Sequence, residues 1–528
     1  MPDAFLLVLH SHLPYVRGAG RWPHGEEWVH EAILGTYLPL LTALHDLRED
    51  GVPYRLTVGL TPTLLEQLAH PEIRRHALEY LDDQIARAAA DRADAPDAQR
   101  RKLAEFYLRS YRSLREAFLL RFGTDLPAAF ADLARSGHVE LLTSGATHGY
   151  LPLLDEDAVH EQLSLGAATT RRITGIDPTG IWLPECAYRP GLETLLEPHG
   201  LDHFFTDAPL LAGANVGVEG RPFRARAAQH WSGAALAEAA PPGPPWADVH
   251  RPYLVGRSGV AAFARHPQVS GQVWSAHTGY PGDGAYREFH RKDDRSGLRY
   301  WRVTSTATDL GAKAAYDPER AAERVRAHAQ HFIGLVRGEL AAAHRRSGGD
   351  AIVTTTFDSE LFGHWWYEGP DWLSLVLRGL ADLTATAAGH LAAAPPRARI
   401  ALREGSWGKG SDHSTWLNAD TEWMWRDLAR MAEEARALAA SRPSGRLRER
   451  ALRQARRELL LAQSSDWPFL VTTGQARAYA IERFRSHAQR FTRAAVIARG
   501  GTDTDEPELL TLERADDVFP DASLAGVG

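Results

Sequence analysis

The sequence predicts an α/β protein built on a closed or nearly closed parallel β-barrel, with a helical insertion and a separate all-helical C-terminal unit. Three observations carry that expectation. Short apolar, β-branched runs alternate with longer helical patterns over roughly the first 400 residues, the signature of βαβ units and a parallel sheet. About seven such runs occur in one chain, which favours a barrel over an open sheet. From Thr421 to Arg499 the periodicity is helical throughout, with breaks at Arg442–Gly445 and Trp467–Gly474.

Taken in order, the expected strands are Phe5–His10, Tyr54–Leu60, Val139–Ser144, Gly180–Pro184, His203–Thr206, Gln272–Ser275 and Ala351–Phe357. Between Pro71 and Phe122 the helical period runs on with few breakers, too long for one crossover helix, and reads as the insertion. Leu210–Pro252 has no sustained period and carries the Pro-rich run Pro241–Pro245, so it reads as a long surface loop. Asp317-Pro318 opens a helix, with Asp as the cap and Pro at the first helical position, and Gly348-Gly349 ends it. The expected division is a catalytic barrel over 1–405, including the 71–122 insertion and the 210–252 loop, a helical domain over 406–499, and a loosely packed polar tail over 500–528.

Composition narrows the function. With 60 Lys plus Arg against 67 Asp plus Glu, the net charge of −7 offers no footprint for nucleic acid or an anionic membrane. The single cysteine, Cys186, excludes an internal disulfide framework and suits a reducing compartment. The N-terminal apolar run is about seven residues without a basic flank, a buried strand rather than a signal peptide, and no run is long enough to span a bilayer. The expected location is the cytoplasm. Fifteen tryptophans are a large supply of flat rings able to stack and hydrogen-bond.

A parallel barrel gathers chemistry just beyond the C-terminal ends of its strands. The first strand ends His10-Ser11-His12, the third runs into Thr147-His148-Gly149-Tyr150, the fourth reaches Glu185, the fifth Asp207 and the last Asp358. Two carboxylates at separate strand ends suit glycosyl transfer, one attacking the anomeric carbon while the other protonates the departing oxygen. The bland alternatives are an ion pair of Glu185 with Arg189 and a helix cap at Asp358. His10 and His12 share a face at i and i+2. They could ligate a metal, as in metal-dependent amidohydrolases or deacetylases, or bind sugar hydroxyls. Cys186 reads as an apolar neighbour behind the strand rather than a nucleophile.

Five blocks, HSHLPY at 10–15, TSGATHGY at 143–150, WLPECAYRP at 182–190, FDSELFGHWWYEG at 357–369 and EGSWGKGSDHSTWLN at 404–418, resemble glycoside hydrolase family 57. QVWSAHTGYPGDGAYREFHRKD at 272–293 and SSDWPFL at 464–470 resemble its 1,4-α-glucan branching enzymes. The resemblance runs from about Leu6 to about Arg490. It implies an incomplete (β/α)7 barrel with a helical insertion and a helical C-terminal domain. It also implies a retaining double displacement on α-1,4-glucan with no metal or organic cofactor, as in glycogen biosynthesis. Glu185 is then the nucleophile and Asp358 the acid/base. His10, His12 and His148 line the donor-glucose site. Trp274, Trp365, Trp407 and Trp416 are aromatic platforms, and Asp466 and Trp467 close the cleft from the helical domain. An α-amylase or 4-α-glucanotransferase on the same scaffold is the nearest alternative, and a non-catalytic glucan-binding protein a further one. The pattern departs in one place. Branching enzymes of this family carry a tyrosine on a loop over the site, and here none occurs between Tyr188 and Tyr253, so a lower ratio of transfer to hydrolysis is expected.

Overall fold

The computed structural model describes residues 3–21, 24–212, 216–217, 247–275 and 278–520. The part of the 210–252 loop that would stand in for the tyrosine (Phe223, His230, Trp231 and Trp246) lies outside the described residues.

Among the described residues ten strands form one curled sheet: β1 Ala4–Ser11, β2 Leu56–Leu60, β3 Val139–Ser144, β4 Gly180–Trp182, β5 His203–Thr206, β6 Val216–Gly217, β7 Tyr253–Val255, β8 Ala261–Ala264, β9 Ile352–Asp358 and β10 Arg399–Ile400. Their spatial order is β6-β10-β7-β8-β5-β4-β3-β2-β1-β9. The seven strands from β8 to β9 are all parallel. β7 is antiparallel to β8 and carries β10 and β6 outward, so the sheet ends in an appended edge rather than closing on β9. The result is an incomplete (β/α)7 barrel. β1 is buried along its whole length, consistent with a near-continuous apolar run flanked by strands on both sides.

Two sequence expectations need correction here. Gln272–Ser275 is not a strand: Pro267–Trp274 is an α-helix, with Pro at its start and the His266 ring accepting from the Val269 amide. Val269 and Val273 are buried four residues apart, a helical spacing that the short run Val273-Trp274 conceals. The seventh parallel strand is instead β8, whose Ala-rich run carries little β-propensity. The second correction concerns the tail. A helix spans Glu506–Ala515, with Leu509 and Leu512 in the core of the helical unit, and Val518 and Phe519 are also buried.

The insertion is two helices, Pro71–Ala93 and Ala98–Glu116. The expected helix after Asp317 spans Pro318–Ser347, with the Asp317 carboxylate accepting from the Glu319 and Arg320 amides and Gly348 left-handed at its end. The C-terminal unit is Glu422–Ala440, Arg446–Ala462, Asp466–Thr473 and Arg477–Gly500, so the stretch read as a break at Trp467–Gly474 is itself a short helix. No helix among the described residues is long and apolar enough to cross a membrane.

The N-terminal ends of β3, β4 and β5 hold a buried charge cluster. His203 is fully buried, with Nδ1 2.6 Å from Asp202 Oδ1 and Nε2 3.0 Å from Glu140 Oε1, off the direction of a hydrogen bond. Gly180 makes room for it: a Cβ there would lie 2.1 Å from His203 Nε2. Burial opposes the charge, but Glu140 and Asp202 outweigh it and hold the imidazole up at about 9, against an ordinary 6.5. The folded state therefore favours protonated His203. Its contribution is full below about pH 6.5 and is lost as pH rises through 9, on the order of 3 kcal/mol in all. His203→Gln should lower the melting temperature at pH 6 and flatten its decline between pH 6.5 and 9, measured by thermal denaturation across pH.

Candidate active site

The C-terminal strand ends deliver the polar residues to one face. In the β1–β9 register His10 lies opposite Asp358, and in the β1–β2 register opposite Gly59, whose missing side chain leaves space beside the imidazole. After β4 the chain turns sharply through Pro184–Cys186, with Glu185 left-handed at φ 65° and Cys186 at φ 49°. Left-handed backbone is costly for residues bearing a Cβ and is kept where the surroundings over-determine it. Here the Glu185 carbonyl accepts from the Trp407 amide, and Tyr188 and Gly405 exchange backbone hydrogen bonds, so segment 404–407 braces the turn.

The Glu185 side chain is 13% exposed and held from two sides. Trp407 Nε1 donates to Oε2 at 2.9 Å, and Ser465 Oγ donates to Oε1 at 2.8 Å. Burial raises its pKa and the two hydrogen bonds work against that rise. Asp358 sits at the end of β9, pushed well above the usual carboxylate range by burial, then by the charges of Glu360 and Glu185, with Arg265 partly compensating. The two carboxyls are thus electrostatically linked, and Asp358 takes the proton more readily, the division of labour that acid and nucleophile require.

The histidines form a stack. His10 lies on Trp182 with centroids 4.5 Å apart, His148 is 5.1 Å from His10, and His12 is 3.8 Å from His148. Burial, and then the neighbouring histidines, keep His10 and His148 well below the ordinary value, hence neutral. His12 is raised: burial lowers it, but its Nε2 lies 2.9 Å from Asp466 Oδ2 and that carboxylate prevails. His12, His148 and Asp466 offer ligand atoms within 4.8 Å of one another, a spacing a metal could use, but Asp466 is engaged by His12 and by Ser464 Oγ.

The tryptophans divide. Trp407 lies against the carboxylate as well as lining the site. Trp274 and Trp365 are 42% and 39% exposed with centroids 6.4 Å apart, available as platforms on the strand-end side. Trp416, expected as a platform, and Trp467, expected to close the cleft, are both fully buried, Trp416 stacked on Tyr150 at 4.6 Å and Trp467 inside the helical core with its Nε1 donating to the Leu461 carbonyl. Asp466 faces the cleft while its neighbour turns away, as successive residues of a helix do. Trp416→Ala should therefore cost about 3–5 kcal/mol of stability, read by denaturant unfolding. An unchanged midpoint with weakened glucan binding would return Trp416 to the platform role. Cys186 is packed with Leu6, Val8, Leu142 and Trp182, and burial holds its thiol up, consistent with an inert residue.

Several participants had no signal as residues in the sequence. Ser465 lies inside the SSDWPFL block, where nothing in the spacing sets it apart, and it also meets His148 Nδ1 at 2.9 Å. Glu360 is buried, takes the Tyr37 hydroxyl at 2.5 Å, and is raised to about 7 by burial. Arg265 follows β8 and pairs with Asp207 through two 3.0 Å hydrogen bonds while its guanidinium sits 5.8 Å from the Trp407 ring centre.

Residues 6–386 match the model of glycosyl hydrolase family 57, and residues 427–525 match that of the 1,4-alpha-glucan branching enzyme C-terminal domain. A 1,4-alpha-glucan branching enzyme of Thermococcus kodakarensis is 41% identical over 518 residues, 94% of this chain and 74% of the relative. A crystal structure of a family 57 branching enzyme from the same organism, in complex with glucose and additives, superposes with a TM-score of 0.89 at 38% identity, covering 99% of this chain and 96% of that one. The alpha-amylase AmyC of Thermotoga maritima superposes at 0.84 with 30% identity, covering 100% of both chains. With the barrel and the helical unit both accounted for, the chain belongs to glycosyl hydrolase family 57.

Proposed function

We propose that the protein is a 1,4-α-glucan branching enzyme, acting by retaining double displacement. Glu185 attacks the anomeric carbon of a donor glucan as Asp358 protonates the leaving oxygen. The chain rests on Glu185 as a glycosyl ester, and Asp358, now ionised, takes the proton from an acceptor 6-hydroxyl as that oxygen displaces Glu185. The observation that carries the reading is the matched pair: a carboxylate held by Trp407 and Ser465, electrostatically coupled to a second carboxylate whose pKa burial and neighbouring charges raise. The branching-enzyme match of the C-terminal unit supports transfer rather than hydrolysis, because that unit supplies Ser465 and Asp466 to the site. The lone cysteine suits a cytoplasmic enzyme of glycogen synthesis.

Incubation with amylose tests this. Each branching event makes a new α-1,6 linkage and leaves the number of reducing ends unchanged, since the cleaved chain is reattached, whereas each hydrolytic event adds one reducing end. A rise in reducing ends without α-1,6 linkages would replace this reading with an α-amylase, the alternative that the likeness to the Thermotoga maritima structure keeps in view.

A further inference from the structure

A cavity of about 560 Å³ lies outside the catalytic cluster, between the two insertion helices, segment 287–299 and the turn at 363–371. None of the catalytic residues described above lines it. Glu27, Glu31 and Lys292 also line a neighbouring cavity of about 430 Å³, which reaches Trp28 on the barrel and Leu470 and Gln475 on the helical unit. Each lies within the range of small-ligand sites, roughly 300–1,000 Å³. Together they make a trough rather than a single pocket, the shape for an extended ligand.

Its chemistry is specific. Tyr80, Phe106 and Tyr111 present partly exposed rings to the larger cavity. Two guanidinium groups border it, Arg287 lying 3.9 Å from the Tyr367 ring centre and Arg299 donating from Nε to the Phe289 carbonyl at 2.7 Å. Neither forms an ion pair with a carboxylate among the described residues, and both are partly exposed along the cavity lining. Glu31 also lines the cavity, with Lys292 Nζ 3.2 Å from its Oε1 and its pKa lowered, burial being outweighed by Arg299, His364 and Lys292. The lining balances: Arg87, Arg287, Lys292 and Arg299 against Glu27, Glu31, Glu368 and Asp371, four basic and four acidic. A neutral lining with donors, acceptors and aromatic faces suits a neutral polyhydroxyl chain. Ring faces cover apolar sugar surface, guanidinium groups donate to vicinal hydroxyl oxygens, and a carboxylate accepts from the hydroxyls.

We propose that this trough is a second α-glucan-binding site, holding a glucan chain away from the reacting bond and so retaining polymer on the enzyme between transfers. The proposal rests on the α-glucan reading above, and its test separates the two. The probe is maltoheptaose added to full-length Glu185→Gln protein, with backbone hydrogen exchange as the readout. The expected result is protection at the catalytic strand ends and, independently, at residues 106–114 and 287–299. Ser110→Trp, which fills the cavity from the second insertion helix, should abolish the second protection alone and weaken glycogen binding about tenfold by affinity electrophoresis. Tyr111→Ala, which empties rather than fills, should do the same. Protection confined to the strand ends would overturn the trough and leave the function standing. Protection nowhere would overturn both. Protection of the trough by glucose 6-phosphate but not by maltoheptaose would overturn the glucan assignment in favour of a small anion.

Discussion

Glu185→Gln is expected to fold normally and to lose activity on amylose by about 10⁴-fold or more, because an amide cannot form the glycosyl ester. Trp407 and Ser465 both donate to this side chain, and a glutamine can accept only one of those hydrogen bonds through its remaining oxygen. The loss should fall on kcat, with glucan binding retained, since stacking and the histidine cluster are untouched. Trapping the intermediate is the decisive measurement. A slow, activated glycosyl donor should label the unaltered protein at Glu185 and leave Glu185→Gln unlabelled, by peptide mass spectrometry. Labelling of a different carboxylate would reassign the nucleophile.

Asp358→Asn is expected to reduce activity by about 10²–10⁴-fold, and to do so unevenly. Its cost should be greatest for a natural glucan, whose leaving oxygen needs a proton, and small for a donor with an acidic leaving group. The pH dependence follows from the raised carboxyl. The acid works while protonated, so activity falls as pH rises through its displaced pKa, and this alkaline limb should vanish in Asp358→Asn. Glu360, itself raised to about 7, adds negative charge beside Asp358 as it ionises, which opposes ionisation of Asp358 and broadens the limb. The stability effect has the opposite sense. A carboxylate raised by folding stabilises while protonated and loses that contribution as pH rises through the folded value. Asp358→Asn should therefore melt higher than the unaltered protein at pH 8, with the gain shrinking at low pH. An alkaline limb that persists in the variant would assign it to another group.

What could be read from the sequence divides along physical lines. β1, β3 and β9 are legible because each is a β-branched or leucine-rich run, and β5 because its paired phenylalanines stand between Gly200 and Pro209. β8 was not, since alanine has no strand preference and the strand is defined by its pairing with β5. The carboxylates were legible because a strand end fixes where a side chain goes. The groups that tune them were not. Ser465 meets Glu185 across 280 residues, and Tyr37 meets Glu360 across 323, and no local period encodes such contacts. The resemblance places Trp416 and Trp467 at the cleft, and the residues themselves do not contradict it, because a tryptophan's amphipathic ring reads the same whether it packs a core or lines a site. Only the fold decides which.

The catalytic centre also lies on a seam. Ser465 holds Glu185 and Asp466 holds His12, while Thr147 Oγ1 reaches the Leu460 carbonyl, Gln162 meets Gln463, and Arg483 bonds the Tyr15 carbonyl. The contacts that fasten the two halves of the chain are continuous with those that orient the nucleophile, so activity is a property of the joint and of neither half. On heating, turnover reports how firmly the joint is clamped and fails when it opens, even where the sheet and the helices remain intact. Stabilising either half in isolation leaves that limit in place, and tightening the seam raises it.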